Sequence, residues 1–173
     1  MKAAEFVIIT GVSGAGKSQA IKCLEDIGFF CIDNLPTTLI PTFVRLCTQS
    51  EHAIERVALV IDVREGEFLA SLFDILGMLR TEGHAVKIVF LDASNEVLVR
   101  RFSESRRPHP LAAGKSALVG IAAERQMLTR LRDEADLIID TSALTIHDLK
   151  RFLSQAFVME RPTAKIALSL VSF

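Results

Sequence analysis

The stretch FVIITGVSGAGKS, Phe6 to Ser18, sets five strand-forming residues directly before a glycine-rich turn closed by Lys17-Ser18. Its second part fits the spacing G-x-x-x-x-G-K-[ST] at every fixed position. Gly11, Gly14 and Gly16 allow the backbone to wrap with its N–H groups inward. A helix opening near Lys17 adds the positive end of its dipole. Gly11, Val12, Ser13, Gly14, Ala15, Gly16, Lys17 and Ser18 therefore read as one cradle for a polyphosphate. In such a cradle the lysine reaches the β- and γ-phosphates, and the Ser18 hydroxyl ligates Mg²⁺.

Outward from this turn, apolar runs of strand length alternate with helical patterns. Strands are expected at Phe6–Thr10, Phe29–Asp33, Val57–Asp62, Val86–Leu91 and Leu137–Asp140. Ser18–Ile27 places Ala20, Ile21, Leu24 and Ile27 on one helical face, and Gly28 stops it. Phe68–Arg80 repeats apolar residues at helical spacing up to Gly83. Ser94 or Asn95 caps a helix carrying Val97, Leu98 and Phe102. A long helix is expected from Ser116 to about Ala135. Thr145-Ile146-His147-Asp148 resembles a capping box before a last helix, to about Phe157. Strands built almost wholly of Val, Ile, Leu and Phe, without polar alternation, indicate burial on both faces. The expected fold is α/β, a five-stranded parallel sheet sandwiched by helices, of the kinase-like P-loop NTPase kind.

The totals exclude several classes. The chain has 173 residues, a formal net charge of −1 and three cysteines without CxxC pairing. Bulk charge does not mark a nucleic-acid binder. A zinc site or disulfide framework is not expected from Cys23, Cys31 and Cys47. No apolar run approaches the roughly 18–20 residues that span a bilayer, and the N-terminus shows no secretory signal. A cytoplasmic protein without membrane contact is expected. Residues 1–160 form the expected nucleotide-binding domain. Residues 161–173 include the strand-like run KIALSLVSF; it reads as an edge strand of this domain or, preferably, as the linker and opening strand of a second domain.

Further groups gather around the cradle. Asp62, ending the run VALVID, suits a magnesium-holding acid at the carboxyl edge of the sheet. Val63, Arg64 and Glu65 follow it there, and Arg64 either meets a phosphate or base edge or is a surface arginine. Asp33 in CIDNLP could take a proton from an attacking hydroxyl or orient water, or could merely cap the next turn. Arg100, Arg101, Arg106 and Arg107 precede Pro108-His109-Pro110. Helical spacing sets Arg100 and Arg107 on one face, and the prolines open a loop running to Lys115. Arg106 and Arg107 are candidates for neutralising charge on the γ-phosphate. The same patch could touch RNA phosphates, although no RNP-type aromatic motif accompanies it. His109 reads as a hydrogen-bonding loop residue or a proton donor. Asp140-Thr141-Ser142 reads as a base-contacting loop or a capped turn.

The motifs GVSGAGKS, CIDNLP, VIDVRE, RRFSESRRPHPL and ADLIIDTS, in this order and spacing, resemble the RapZ family of bacterial P-loop nucleotide-binding proteins, also called YvcJ-like or RNase adapter proteins. The resemblance covers nearly the whole chain. It implies an N-terminal kinase-like P-loop domain, followed in family members by a smaller C-terminal one, and binding and hydrolysis of ATP and GTP. It matches the ATP site to Gly11–Ser18 and a GTP-associated segment to Asp62–Glu65. It further implies, for the full-length protein, a small regulatory RNA and an endoribonuclease as partners, engaged mainly through the C-terminal domain, in amino-sugar regulation. Oligomeric state stays open.

Three functions fit these residues. The leading one is a nucleotide-binding sensor or switch with slow NTPase activity, since no Ras-like glutamine stands out. The second is a small-molecule kinase transferring the ATP γ-phosphate to a hydroxyl. The third is an RNA-binding module.

Overall fold

The computed structural model describes residues 2–49, 51–62 and 66–158. Five strands are present: β1 (Glu5–Gly11), β2 (Phe30–Asp33), β3 (Arg56–Val60), β4 (Ala85–Asp92) and β5 (Leu137–Asp140). The helices are α1 (Lys17–Asp26), α2 (Ile40–Gln49), α3 (Gly66–Thr81), α4 (Asn95–Ser105), α5 (Ala117–Asp133) and α6 (Ile146–Val158). All strand pairings are parallel, in the order β2-β3-β1-β4-β5. β1 is therefore central, with Ile8 opposite Leu59 on one side and Ile88 on the other. Connections leave β1 first toward one edge and later toward the other. This reversal opens a crevice beyond its carboxyl end.

Burial follows this order. Phe6, Val7, Ile8, Ile9, Val57, Ala58, Leu59, Ile88 and Val89 are fully buried. Apolar side chains on both faces of a central strand have helices to cover them, which is why these segments lack polar alternation. The edge strands differ: Phe30 is 47% and Ile138 41% exposed. At the amino end of the sheet Arg56 binds several elements together. Its Nε donates to Glu5 at 3.1 Å, and its Nη atoms donate to the carbonyls of Ile27 at 3.2 Å and Phe157 at 2.8 Å. The guanidinium lies 4.0 Å from the centroid of the Phe29 ring.

Several boundaries differ from expectation for identifiable reasons. The third strand ends at Val60, not Asp62. The Ile61 N–H still donates to Ile9 at 3.0 Å, but Asp62 lies beyond the ladder. The helix Ile40–Gln49 was not expected, although Ile40, Val44, Cys47 and Thr48 form a buried stripe at helical spacing. The fourth helix stops at Ser105, and Arg106 adopts a left-handed conformation with φ 51°. Arg107 therefore does not share a helical face with Arg100. The capping box is present: the Thr145 hydroxyl accepts from Asp148 N–H at 3.1 Å, and the Asp148 carboxylate accepts from Thr145 N–H at 3.0 Å. Ser94, not Asn95, caps the fourth helix, accepting from Val97 N–H at 3.3 Å. The proposed second-domain strand, residues 161–173, lies outside the described residues, as do Val63, Arg64 and Glu65.

β1 ends in a close approach. Gly11 has φ 142°, and a Cβ there would overlap the Leu91 carbonyl oxygen and stand 2.8 Å from the Leu91 nitrogen. The next amide, Val12 N–H, donates to that same carbonyl at 3.1 Å. Gly16 has φ 106° but open space around it. Gly11→Ala is expected to lower the unfolding free energy by at least about 3 kcal/mol, because backbone must move. Gly16→Ala is expected to cost only about 1–2 kcal/mol, the strain of a left-handed residue. Urea denaturation of both variants checks the ranking. The Cys31 thiol is pushed up to about 11, first by burial and then by the Glu25 carboxylate. It is expected to stay protonated at neutral pH and to react with iodoacetamide measurably faster only as pH rises toward that value.

Candidate functional site

Four side chains from four separate stretches of the chain meet the cradle. Lys17, opening α1, donates from Nζ to the Gly11 carbonyl at 2.8 Å. Arg101 of α4 donates to the Gly14 carbonyl at 2.9 Å and to Thr141 at 2.8 Å and 3.1 Å. The Thr141 hydroxyl, just past β5, donates to the Ala15 carbonyl at 2.7 Å. The Glu124 carboxylate of α5 accepts from the Ser13 N–H at 3.0 Å and from the Ser13 hydroxyl at 2.7 Å. Within the loop, Ala15 N–H donates to Val12 at 3.0 Å. Carbonyls of the loop are thus occupied by protein donors. Where α1 opens, Gln19 and Ala20 N–H donate to the Gly16 carbonyl at 3.1 Å and 3.0 Å, and the positive end of the helix dipole lies at Lys17 and Ser18.

Hollows lie on both sides of this loop. One, of about 440 Å³, is lined by Lys17, Ser18, Asp33, Asn34, Asp62 and Phe68. Its polar groups are an ammonium, a hydroxyl, an amide and two carboxylates. Asp33 reaches it because β2 ends there and Asn34 turns the chain with φ 59°, a conformation asparagine tolerates better than most residues. The Asn34 N–H donates to Val60 at 3.2 Å, fixing that turn against β3. The other hollow, of about 270 Å³, lies past Gly16 and Gln19 and is walled by Arg101, Leu144, Ile146 and Leu149. It is mostly apolar.

The structure therefore brings Lys17, Ser18, Asp33 and Asp62 to one cavity. Arg106 and Arg107 are exposed at the start of the 106–115 loop and do not line it. Arg101, not singled out from its neighbours in the sequence, is the arginine that meets the cradle. Asp140 forms a turn with Ser142, accepting its N–H at 2.9 Å; those Ser142 hydrogen bonds hold its carboxyl below the usual range. His109 is a buried hydrogen-bonding residue, 3% exposed, with Nε2 2.8 Å from Glu124. Glu124 carried no sequence signal beyond lying on the inward stripe Ile121, Leu128, Leu131 of α5. An acid on an apolar stripe was the available clue. Among the described residues, no cluster of three or more His, Cys, Asp or Glu forms a preformed metal site. No helix there is long and apolar enough to cross a membrane.

Comparison with known proteins agrees with this architecture. The family model described as the RapZ-like N-terminal domain matches residues 4–161. A nucleotide-binding protein of Desulforudis audaxviator is 49% identical over 173 residues, all of this chain and 59% of its own length. One from Clostridium botulinum is 48% identical over 169 residues, 97% of this chain and 58% of its own. The chain thus spans somewhat under three-fifths of these relatives. Among solved structures, a shikimate kinase from Acinetobacter baumannii in complex with shikimate superposes with a TM-score of 0.64 at 15% identity, covering 92% of this chain and 96% of that one. A gluconokinase from Sinorhizobium meliloti gives 0.53 at 17% identity, covering 87% and 90%. At those identities the likeness establishes the fold, a P-loop kinase-like α/β sandwich. On the match over residues 4–161 and the near-half identity along its whole length, the chain belongs to the RapZ-like N-terminal domain family.

Proposed function

We propose that this chain binds a nucleoside triphosphate, ATP or GTP, as its magnesium complex and hydrolyses it slowly, acting as a nucleotide sensor. The observation that carries the reading is the braced cradle itself: its carbonyls are taken by Lys17, Arg101 and Thr141, and a polar cavity opens beside Lys17 and Ser18. The name nucleotide-binding protein borne by its relatives supports the same reading. In this pose the base rests in the apolar hollow between Arg101 and Leu144–Ile146, and the phosphates run along the Gly11–Ser18 turn. The terminal phosphate then faces the cavity holding Asp33 and Asp62. The segment Asp62–Glu65 is proposed to contribute to guanine-nucleotide binding, with Asp62 at the cavity.

The residues fit a magnesium ion. A hard cation takes oxygen donors and commonly uses one or two protein groups plus phosphate and water; the Ser18 hydroxyl and the Asp62 carboxylate line the same cavity. When bound, the ion supplies charge neutralisation across the β- and γ-phosphates. Lys17 exchanges its bond to the Gly11 carbonyl for phosphate oxygens. Asp33 orients a water or takes its proton. Arg106 and Arg107, exposed at the mouth of the 106–115 loop, offset charge when that loop approaches the terminal phosphate. No glutamine is found among the described residues lining the cavity, which accords with slow turnover. In the whole protein, nucleotide occupancy would set how the remaining chain engages a small RNA and an endoribonuclease.

A second reading is phosphoryl transfer to a metabolite hydroxyl. The specific observation behind it is the position of Asp33 and Asn34 in a cavity of about 440 Å³, room for an acceptor as well as for water. Labelled ATP incubated with the chain and a metabolite pool separates the two readings. Release of phosphate to water is expected; rapid labelling of one compound would replace hydrolysis by transfer.

Lys17→Ala is expected to weaken magnesium-nucleotide binding by about 10–100-fold, from loss of charge-assisted hydrogen bonds, as measured by calorimetry. Undiminished affinity would remove Lys17 from the site. Asp33→Asn is expected to leave affinity near that of the parent while turnover falls by about 100-fold or more. Phosphate-release assays at saturating nucleotide check that separation.

A further inference from the structure

We infer that Glu124 and His109 are positioning residues that couple the phosphate cradle to the 106–115 loop, so that nucleotide occupancy and the position of that loop control one another. The inference rests on the nucleotide reading of the cradle. It is carried by a buried chain of contacts that joins the two segments.

At one end, both oxygens of Glu124 lie 3.0 Å from the Ser13 nitrogen, and the Ser13 hydroxyl donates at 2.7 Å. At the other, Glu124 Oε2 is 2.8 Å from His109 Nε2. Both side chains are almost wholly buried, at 3% exposure for each residue. The histidine is oriented from its far side: Leu111 N–H donates to Nδ1 at 3.0 Å. Nδ1 is therefore the acceptor nitrogen, and Nε2 carries the hydrogen that Glu124 accepts. Turning the ring forfeits both bonds.

Two glycines extend the chain. Gly120, within α5, has no side chain because the imidazole lies on it: a Cβ there would overlap Nδ1 and stand 2.7 Å from Cγ. Gly120 lies in the first turn of α5, and glycine inside a helix weakens it relative to alanine, so its presence matches the need for this seat. On its other side the imidazole packs against Phe102, with ring centroids 5.0 Å apart. Phe102 in turn covers Gly14 of the cradle, where a Cβ would meet the ring at 3.4 Å. His109 thus touches the cradle by two routes, through the Glu124 carboxylate to Ser13 and through Phe102 to Gly14.

The chemistry makes this link responsive. A buried carboxylate needs its donors, since an unpaired one is costly. Polyphosphate entering the cradle acts on the same loop that supplies two of those donors from Ser13. Any shift of Ser13 changes what Glu124 holds, and His109 supplies the remaining donor. His109 is also the anchor of the proline-bounded loop that carries Arg106, Arg107 and Lys115. By linkage, whatever moves that loop, including another segment docking on it, changes nucleotide affinity by the same factor.

Limited trypsin digestion of the full chain tests this, with cleavage after the exposed Arg106 and Lys115 followed by mass spectrometry. The probe is the magnesium complex of a non-hydrolysable ATP analogue. In the parent chain, saturating analogue is expected to slow both cleavages severalfold. Glu124→Gln keeps the shape but presents an amide where acceptors are needed, and Gly120→Ala pushes the imidazole off its seat without touching the cradle. Both are expected to unfold cooperatively, to bind the analogue about tenfold more weakly, as loss of one charge-assisted hydrogen bond implies, and to be cleaved at rates indifferent to it. Cleavage in the parent chain that ignores a bound analogue overturns the coupling alone. So does unchanged affinity and protection in either folded variant. A parent chain that binds no nucleotide overturns the nucleotide reading and the coupling with it.

Discussion

The contact between Gly11 and the Leu91 carbonyl governs this molecule. β1 and β4 pair in parallel from Glu5–Ala85 through Gly11–Leu91, and the last residue of that ladder must pass the neighbouring backbone too closely for any side chain. Because it does, the chain leaves the centre of the sheet as a tight turn rather than a long loop, and α1 begins six residues later at Lys17. The cradle is therefore referenced to the central strand and its β4 neighbour. Its position at the carboxyl end of a central parallel strand is the place where open α/β sheets collect their ligands.

Around that anchor, the site is built by convergence. α4 contributes Arg101, α5 contributes Glu124, and the residue after β5 contributes Thr141, each meeting a different atom of one short loop. None of these three needs to touch a ligand to matter. They occupy carbonyls and one amide of the turn, and the positive end of the α1 dipole together with the Lys17 ammonium gives that turn the charge an anion needs. Asp33 and Asp62 come from the opposite side, on β2 and past β3, and complete a cavity with charges of both signs. Such a mixture suits a magnesium-bound phosphate better than a free cation or a free anion.

Much of this was legible in the residues. Unbroken Val, Ile and Leu runs announced a sheet buried on both faces, and the G-x-x-x-x-G-K-S spacing announced the turn. The capping pair Thr145 and Asp148 also read correctly, because it depends on four consecutive residues alone. What escaped was either local irregularity or long-range pairing. The third strand stops two residues before Asp62, since pairing with a neighbour, not composition, ends a ladder. The left-handed turn at Arg106 broke a helix that the arginine spacing had extended. Ile40–Gln49 is helical with Pro41 in its first turn, a place where proline is tolerated. Glu124 meets Ser13 across 111 residues of sequence, and no periodicity can announce such a pair.

On the proposed reading, backbone amides of the Gly11–Ser18 turn grip a polyphosphate. Amide-resolved NMR titration with the magnesium complex of a non-hydrolysable nucleoside triphosphate tests it most directly. The largest shifts are expected at Gly14, Gly16, Lys17 and Ser18, with smaller ones at Asp33 and Thr141. Shifts confined to other surfaces, or none at saturating ligand in a well-folded sample, would contradict it.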